Sequence, residues 1–138
     1  MAATLGNTKK AYIKISTTYT WLACEQNNSI SRTQEAVEVS DKSTAWAQFI
    51  AGKKGATAEI TVFADNSDAG QQAALKGLYN GAAVDVFLGV LSTNSPSDGE
   101  AFNGIITAIS DTHDFGAVST RQISITANGA VTHYPALT

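Results

Sequence analysis

Residues 58–81 read AEITVFADNSDAGQQAALKGLYNG, and this stretch decides the fold. Its first part, Ala58-Glu59-Ile60-Thr61-Val62-Phe63, alternates apolar and polar side chains. Successive strand side chains point to opposite faces, so Ile60 and Val62 face a core while Glu59 and Thr61 face out. Asp65-Asn66-Ser67-Asp68 follows, with side-chain oxygens able to accept the free N–H groups of a helix's first turn. From Ala69 to Tyr79 the residues favour helix, apart from Gly70 and Gly77, and Ala74, Leu75, Leu78 and Tyr79 fall on one stripe. Asn80-Gly81 supplies a left-handed stop. The stretch reads as a half-buried strand leading into one short helix that lies on a sheet.

Working outward, the flanking segments alternate with period two. Ile13 and Ile15 share a face in Tyr12–Ile15, and Thr18–Cys24 alternates Tyr19 and Trp21 with Thr18, Thr20 and Leu22. Ser29 to Val39 is longer and more polar, with Val37 and Val39 on one side. Val84–Leu88, Phe102–Ile109 and Val118–Thr126 complete about seven strands, the last setting Ile123 and Ile125 against Gln122 and Ser124. The expected fold is mainly β: an antiparallel sandwich or barrel with one flanking helix, in a single domain over 1–138. Ser40 to Gly55 shows no period-two pattern and reads as a long loop, about 40–56, carrying Trp46, Phe49 and Ile50 beside Lys42, Lys53 and Lys54. A connection that long in so small a domain usually has a function. Ser92 to Gly99 reads as a polar hairpin tip.

Composition narrows the function classes. The 138 residues include 16 Thr and 12 Ser, which favours strands, while only 15% are charged. Nine Lys and Arg against twelve Asp and Glu give a net charge of −3, which argues against a nucleic-acid grip built on neutralised phosphates. A poorly charged surface points to coverage by partners. The single cysteine, Cys24, excludes an intrachain disulfide and reads as a buried small side chain in a strand. No apolar run is long enough for a transmembrane helix, and Met1–Gly6 lacks the features of an export signal, so no membrane insertion is expected.

Little points to catalysis. No G-x-S-x-G elbow is present, and Gly52-Lys53-Lys54-Gly55 lacks phosphate-loop spacing. Asp111-Thr112-His113-Asp114 reads as a solvated turn rather than a metal cluster, since neighbours on a turn seldom converge on one ion. Glu35 with Glu38, and Asp65 with Asp68, read as solvated acids. No enzyme activity and no cofactor are expected. Tyr19 and Trp21 on one strand face could stack on sugar, which makes a carbohydrate-binding module of a fibre or adhesin the alternative. Trp46 and Phe49 in a loop mark a docking surface for protein.

The order of elements carries a resemblance. Val39-Ser40-Asp41-Lys42-Ser43, then Trp46, then Phe49-Ile50-Ala51-Gly52-Lys53, precede the strand ending at Phe63 and the helix from Asp65–Asp68 to Asn80-Gly81, followed by Val84-Asp85-Val86. Over roughly residues 5 to 130 this resembles the major tail tube proteins of long-tailed, siphophage-type bacteriophages, which are related to gene transfer agent and type VI secretion tube proteins. The pair Lys53-Lys54 and the tip at Ser92 to Gly99 have no place in that pattern.

The resemblance implies a structural virion protein: six copies form a ring, their inner sheets join into a barrel, and rings stack into a tube through which DNA passes. It implies homohexameric self-association and contacts with tail terminator, tape measure and baseplate or distal tail proteins, in a tail assembled in the host cytoplasm. The long loop would reach the adjacent ring through Lys42, Trp46, Phe49, Ile50, Lys53 and Lys54. The polar faces bearing Glu59, Thr61, Gln122 and Ser124 would line the channel, where a neutral or acidic wall lets DNA slide.

Overall fold

A computed structural model describes residues 8–43 and 45–137. Eight strands and one helix follow in chain order: β1 (Lys10–Ile15), β2 (Thr18–Trp21), β3 (Glu25–Glu38), β4 (Phe49–Phe63), α1 (Ala69–Asn80), β5 (Val84–Ser92), β6 (Ser95–Thr112), β7 (Thr120–Ala127) and β8 (Thr132–Tyr134). All pairings are antiparallel, in one sheet of order β2-β1-β5-β6-β7-β4-β3. The 18-residue β6 holds this sheet together. Its first part pairs with β5 and its last part with β7, while β8 continues the line of β7 along the same edge, pairing at Gly99–Ala101.

The sheet curls on itself. Ala11 and Ile13 of β1, Ala58, Ile60 and Val62 of β4, and Ile123 and Ile125 of β7 meet in one core with Val86, Leu88, Phe102 and Ile106. At the seam between β1 and β3 side chains bridge the strands: Ala11 N donates to both Glu25 carboxylate oxygens (3.1 and 3.2 Å), and Asn28 Nδ2 donates to Lys9 O (3.1 Å). Where β5 crosses β6 closely, Gly89 sits opposite Gly99. A Cβ on Gly89 would fall 2.0 Å from Asp98 O, and one on Gly99 2.1 Å from Leu88 O. Both have φ near +150°, so glycine is required there twice over.

The strand–helix reading of residues 58–81 holds. Ile60 and Val62 are buried and Glu59 is exposed. Asp68 caps α1 by accepting from Gln71 N (3.0 Å), and Gly81 ends it in the left-handed conformation with φ 67°. The buried helix stripe is rotated from the expected one: it consists of Gly70, Gln71, Ala74 and Gly77, while Tyr79 is exposed. Small residues let α1 approach β1, β2 and β6 closely, and a buried glutamine replaces an apolar anchor.

Other expectations are corrected. The stretch from Thr18 is broken after Trp21, so Cys24 is in an exposed turn with φ 63° rather than buried in a strand. β5 is covered on both faces around Phe87, which is fully buried against Tyr12, Tyr19 and Tyr134 (centroids 6.0, 5.9 and 6.3 Å). The tip at Ser92 to Gly99 tightens to a two-residue turn at Thr93-Asn94, both with positive φ, as the twist of a hairpin demands. Asn94 ties that turn to β2 by accepting from Tyr19 N (3.0 Å) and donating to Thr17 O (3.2 Å).

The largest correction concerns the long loop. Residues 49–56 are strand, part of the 15-residue β4, and only residues 39–48 connect it to β3. Phe49, Ile50, Lys53 and Lys54 therefore lie on β4, whereas Lys42 and Trp46 lie in the connection. The alternation is hidden by a register shift opposite Glu35, where Gly52 and Lys53 occupy one step. Beyond Thr33↔Gly55 the β3–β4 hairpin projects from the body as an arm, with no core against it to impose an apolar period.

Candidate functional site

Two surfaces stand out, a polar sheet face and the arm. The face belongs to β3, β4, β7 and the second half of β6. In β4 and β7 every second residue enters the core, so the intervening ones form the opposite face. Glu59 pairs with Ser124 and Thr61 with Gln122, so all four expected channel residues sit together as two adjacent cross-strand pairs. The rows extend in both directions: Ser29 lies opposite Glu59 and Asn27 opposite Thr61 on β3, while Ala108 lies opposite Ser124 and Ser110 opposite Gln122 on β6. Thr57, paired with Thr126 and Ser31, adds a further row, completed on β6 by the exposed apolar Ile105 opposite Thr126. Glu59 is the one charged residue among those named, and none is Lys or Arg. The β3 members of this face were missed in the sequence, where the Ser29–Ile30–Ser31 alternation was the available signal.

Neither lateral border of this face is paired through its backbone among the described residues. β3 from Ser29 to Glu38 bonds to β4 only, and β6 from Ile105 to Thr112 bonds to β7 only. Long free edges are templates for another strand.

The arm carries Trp46, Phe49, Ile50, Val37 and Val39 as exposed apolar side chains, Trp46 at 85%. Val37 pairs with Ile50, and Glu38 with Phe49, so Ile50 and Phe49 point to opposite sides of the hairpin. The connection is braced locally: Val39 N donates to Gln48 O (2.8 Å), Gln48 N to Ser40 Oγ (2.6 Å) and Ser43 N to Asp41 Oδ1 (2.9 Å).

A buried polar node fixes α1 to the far end of the sheet. Gln71, fully buried, accepts from Asp65 N and Arg121 Nη1 (both 2.9 Å) and donates to Ala23 O (3.1 Å) and Phe63 O (3.0 Å). Arg121 also grips Asp111 in a fork, Nε to Oδ1 at 2.8 Å and Nη2 to Oδ2 at 3.2 Å, and reaches Asn66 Oδ1 (2.8 Å). The hydrogen bond from Arg121 holds the Asp111 carboxyl below its usual range, opposed in part by burial. Asp65 is lowered chiefly by its hydrogen bond from the Ser67 side chain. At the seam, Tyr12 and Tyr19 are raised, mainly by burial.

The remaining sequence candidates lie apart. Tyr19 packs on Phe87 with Lys14 over its ring (5.4 Å), and Trp21 is covered by Lys10 (4.5 Å) with its Nε1 donating to Glu25 Oε1 (3.4 Å). His113 Nδ1 bonds Ser119 Oγ (2.7 Å) and His133 Nδ1 bonds Pro135 O (2.9 Å). Among the described residues no three of His, Cys, Asp and Glu come close enough to hold a metal ion, and no helix is long and apolar enough to cross a membrane. The sequence reading missed Phe115 and Val118, exposed in the turn between β6 and β7. Their apolar character inside a polar, non-periodic stretch was the available signal.

Comparison with known proteins agrees with this geometry. The family model described as "Phage tail tube protein" matches residues 6–133. No curated protein matches the sequence. Among solved structures, a chain of the virion of a native gene transfer agent particle is similar at 15% identity and TM-score 0.81, over 95% of this chain and 98% of that one. A chain from the tail of an empty gene transfer agent particle, refined with C6 symmetry, is similar at 16% identity and TM-score 0.80, over 95% and 98%. The SPP1 tail tube gives 15% identity and TM-score 0.77, over 96% of this chain and 80% of that one.

Proposed function

The chain belongs to the phage tail tube protein family, and from that premise we propose that six copies form a ring, that rings stack into a tube, and that DNA passes through it. The observation that carries this reading is the face centred on Glu59, Thr61, Gln122 and Ser124: four strands wide, mostly polar, without a cation among its named residues, and bordered by two free edges. In the ring the β3 edge of one copy meets the β6 edge of the next, which removes both edges and closes a barrel. A wall without cations gives phosphates nothing to exchange their counterions for, so DNA slides. The C6 symmetry reported for the gene transfer agent tail supports the sixfold ring. A structural rather than enzymatic role follows, in a virion tail assembled in the host cytoplasm, with a terminator, a tape measure and baseplate or distal tail proteins as partners at its ends and interior.

The arm, with Lys42, Trp46, Phe49, Ile50, Lys53 and Lys54, is the element that leaves the ring plane to touch a neighbouring ring. The sugar-binding alternative loses its platform, because Tyr19 and Trp21 are engaged by Phe87, Lys14, Lys10 and Glu25. Electron microscopy of the concentrated protein tests the reading. Four strands from each of six copies, roughly 24 strands about 4.8 Å apart and tilted about 40°, give a backbone diameter of about 48 Å and a clear bore of about 40 Å. Rings or tubes with such a hole are expected. Protein that stays monomeric both alone and beside a tail-initiating baseplate complex refutes it.

A further inference from the structure

The arm places apolar side chains at one end of the chain, and a second apolar group sits at the other. In the turn at residues 113–119 Phe115 is fully exposed and Val118 largely so. This turn lies at the far end of β4: Phe63 and Thr112 both pair with Thr120, and Ala64 N donates to Ser119 O (2.9 Å). From Phe49 to Phe63, fourteen steps of about 3.3 Å separate the two ends by about 46 Å. A chain therefore cannot seat its own arm on its own turn.

Charge differs between the ends as well. The arm exposes Lys42, Lys53 and Lys54, together with Glu35, Glu38 and Asp41, whose carboxylate accepts from Ser43 N and Oγ. The turn exposes Asp114, and Asp65 and Asp68, which precede α1 and accept from Ser67 and Gln71, lie on the same end, while the nearby cation Arg121 is already held by Asp111.

We propose that the turn at residues 113–119 is the seat for the arm of a second copy of this chain, Trp46 and Phe49 of one copy packing on Phe115 and Val118 of the next, with Lys42 toward Asp114. The proposal rests on the stacked-ring reading and names the receiving side of that contact. Both halves of the interface are on one chain, at opposite ends and each with exposed apolar side chains, so each docked copy still offers one free half. Such a heterologous contact repeats without closing and grows along an axis.

Disulfide trapping tests it. In a Cys24→Ser background, Lys42→Cys combined with Asp114→Cys places a thiol on each side while leaving the apolar residues intact. Oxidised tubes are expected to give a ladder of linked chains continuing past six on a non-reducing gel, and either substitution alone none. Tubes that form without a ladder overturn the seat and leave the tube reading standing. A ladder that stops at six puts the contact within a ring and overturns it as well. Failure of the Cys24→Ser parent and of the unaltered chain alike to assemble, alone and beside a tail-initiating baseplate complex, overturns both. Phe115→Glu supplies an independent measurement: since Phe115 is fully exposed in its own chain, the variant is expected to keep rings and lose tubes, and tubes of ordinary length refute the seat.

Discussion

Replacing Gln71 by leucine tests what holds the helix to the sheet. The side chain is fully buried and satisfies four groups at once: Asp65 N, one Arg121 N–H, Ala23 O and Phe63 O. Leucine keeps the bulk and removes every one of these partners. Orphaning a buried polar group costs about 1–3 kcal/mol, so taking the low end for each of the four gives about 4 kcal/mol, offset by about 1 kcal/mol of added apolar burial. Unfolding entropy of about 2.1 cal/mol/K per residue over 138 residues makes 3 kcal/mol a fall of about 10 °C in Tm. The assay is thermal denaturation by circular dichroism at a concentration where the protein is monomeric. Gln72→Leu is the control, because Gln72 is exposed and its hydrogen bond from Nε2 to Asn66 O (2.6 Å) can be replaced by water. A fall for Gln71→Leu of less than about 3 °C, or one matching the control, refutes the view that this residue anchors α1.

Three further outcomes are expected. Glu59→Lys with Gln122→Lys puts cations on the sheet face proposed to line the channel; tubes should still form, while DNA ejection slows at least about tenfold in low salt and recovers as salt rises, and salt-independent ejection at the ordinary rate counts against this face. Trp46→Ala removes the arm's largest apolar side chain and should raise the concentration needed for tubes at least about tenfold, in line with an interface anchor of about 2 kcal/mol, as read by sedimentation. The depressed carboxyl of Asp111 contributes stability that is fully present above its unfolded value near 3.8 and is lost as pH falls through its lower folded value. Asp111→Asn should therefore flatten the acid limb of a urea-midpoint series between about pH 2 and 5, and an unchanged limb would show that the Arg121 grip does not set acid stability.

Legibility in the sequence followed the core. Ile60, Val62, Ile123 and Ile125 are buried alternately on β4 and β7, so their period announced both strands and fixed Glu59, Thr61, Gln122 and Ser124 on the other face. The register that makes these four direct partners depends on tertiary pairing and is not contained in either segment alone. The caps of α1 were readable because Asp68 and Gly81 act locally. Its buried stripe was not, because Gln71 belongs inside only where Arg121, Ala23 and Phe63 present partners for it. Phe87 defied the half-buried pattern of β5 because three tyrosines distant in sequence cover it. Residues 49–55 concealed their strand for the opposite reason: with no core beside them, and with Gly52 and Lys53 sharing one step, no apolar rhythm was imposed.

That unsupported hairpin has a kinetic consequence. A two-stranded ribbon without a third layer is marginal in water, so in a free subunit the outer part of β3 and β4 gains its full order only when a neighbour supplies the missing layer. Part of the folding free energy is then released during polymerisation, and the first contact between subunits must meet an ordering cost that later ones share with an established template. Growth governed this way has a lag and a critical nucleus. A concentrated pool of subunits polymerises by itself only after that lag, and a preformed end removes it, so that growth starts preferentially there and filaments gain a defined origin and direction.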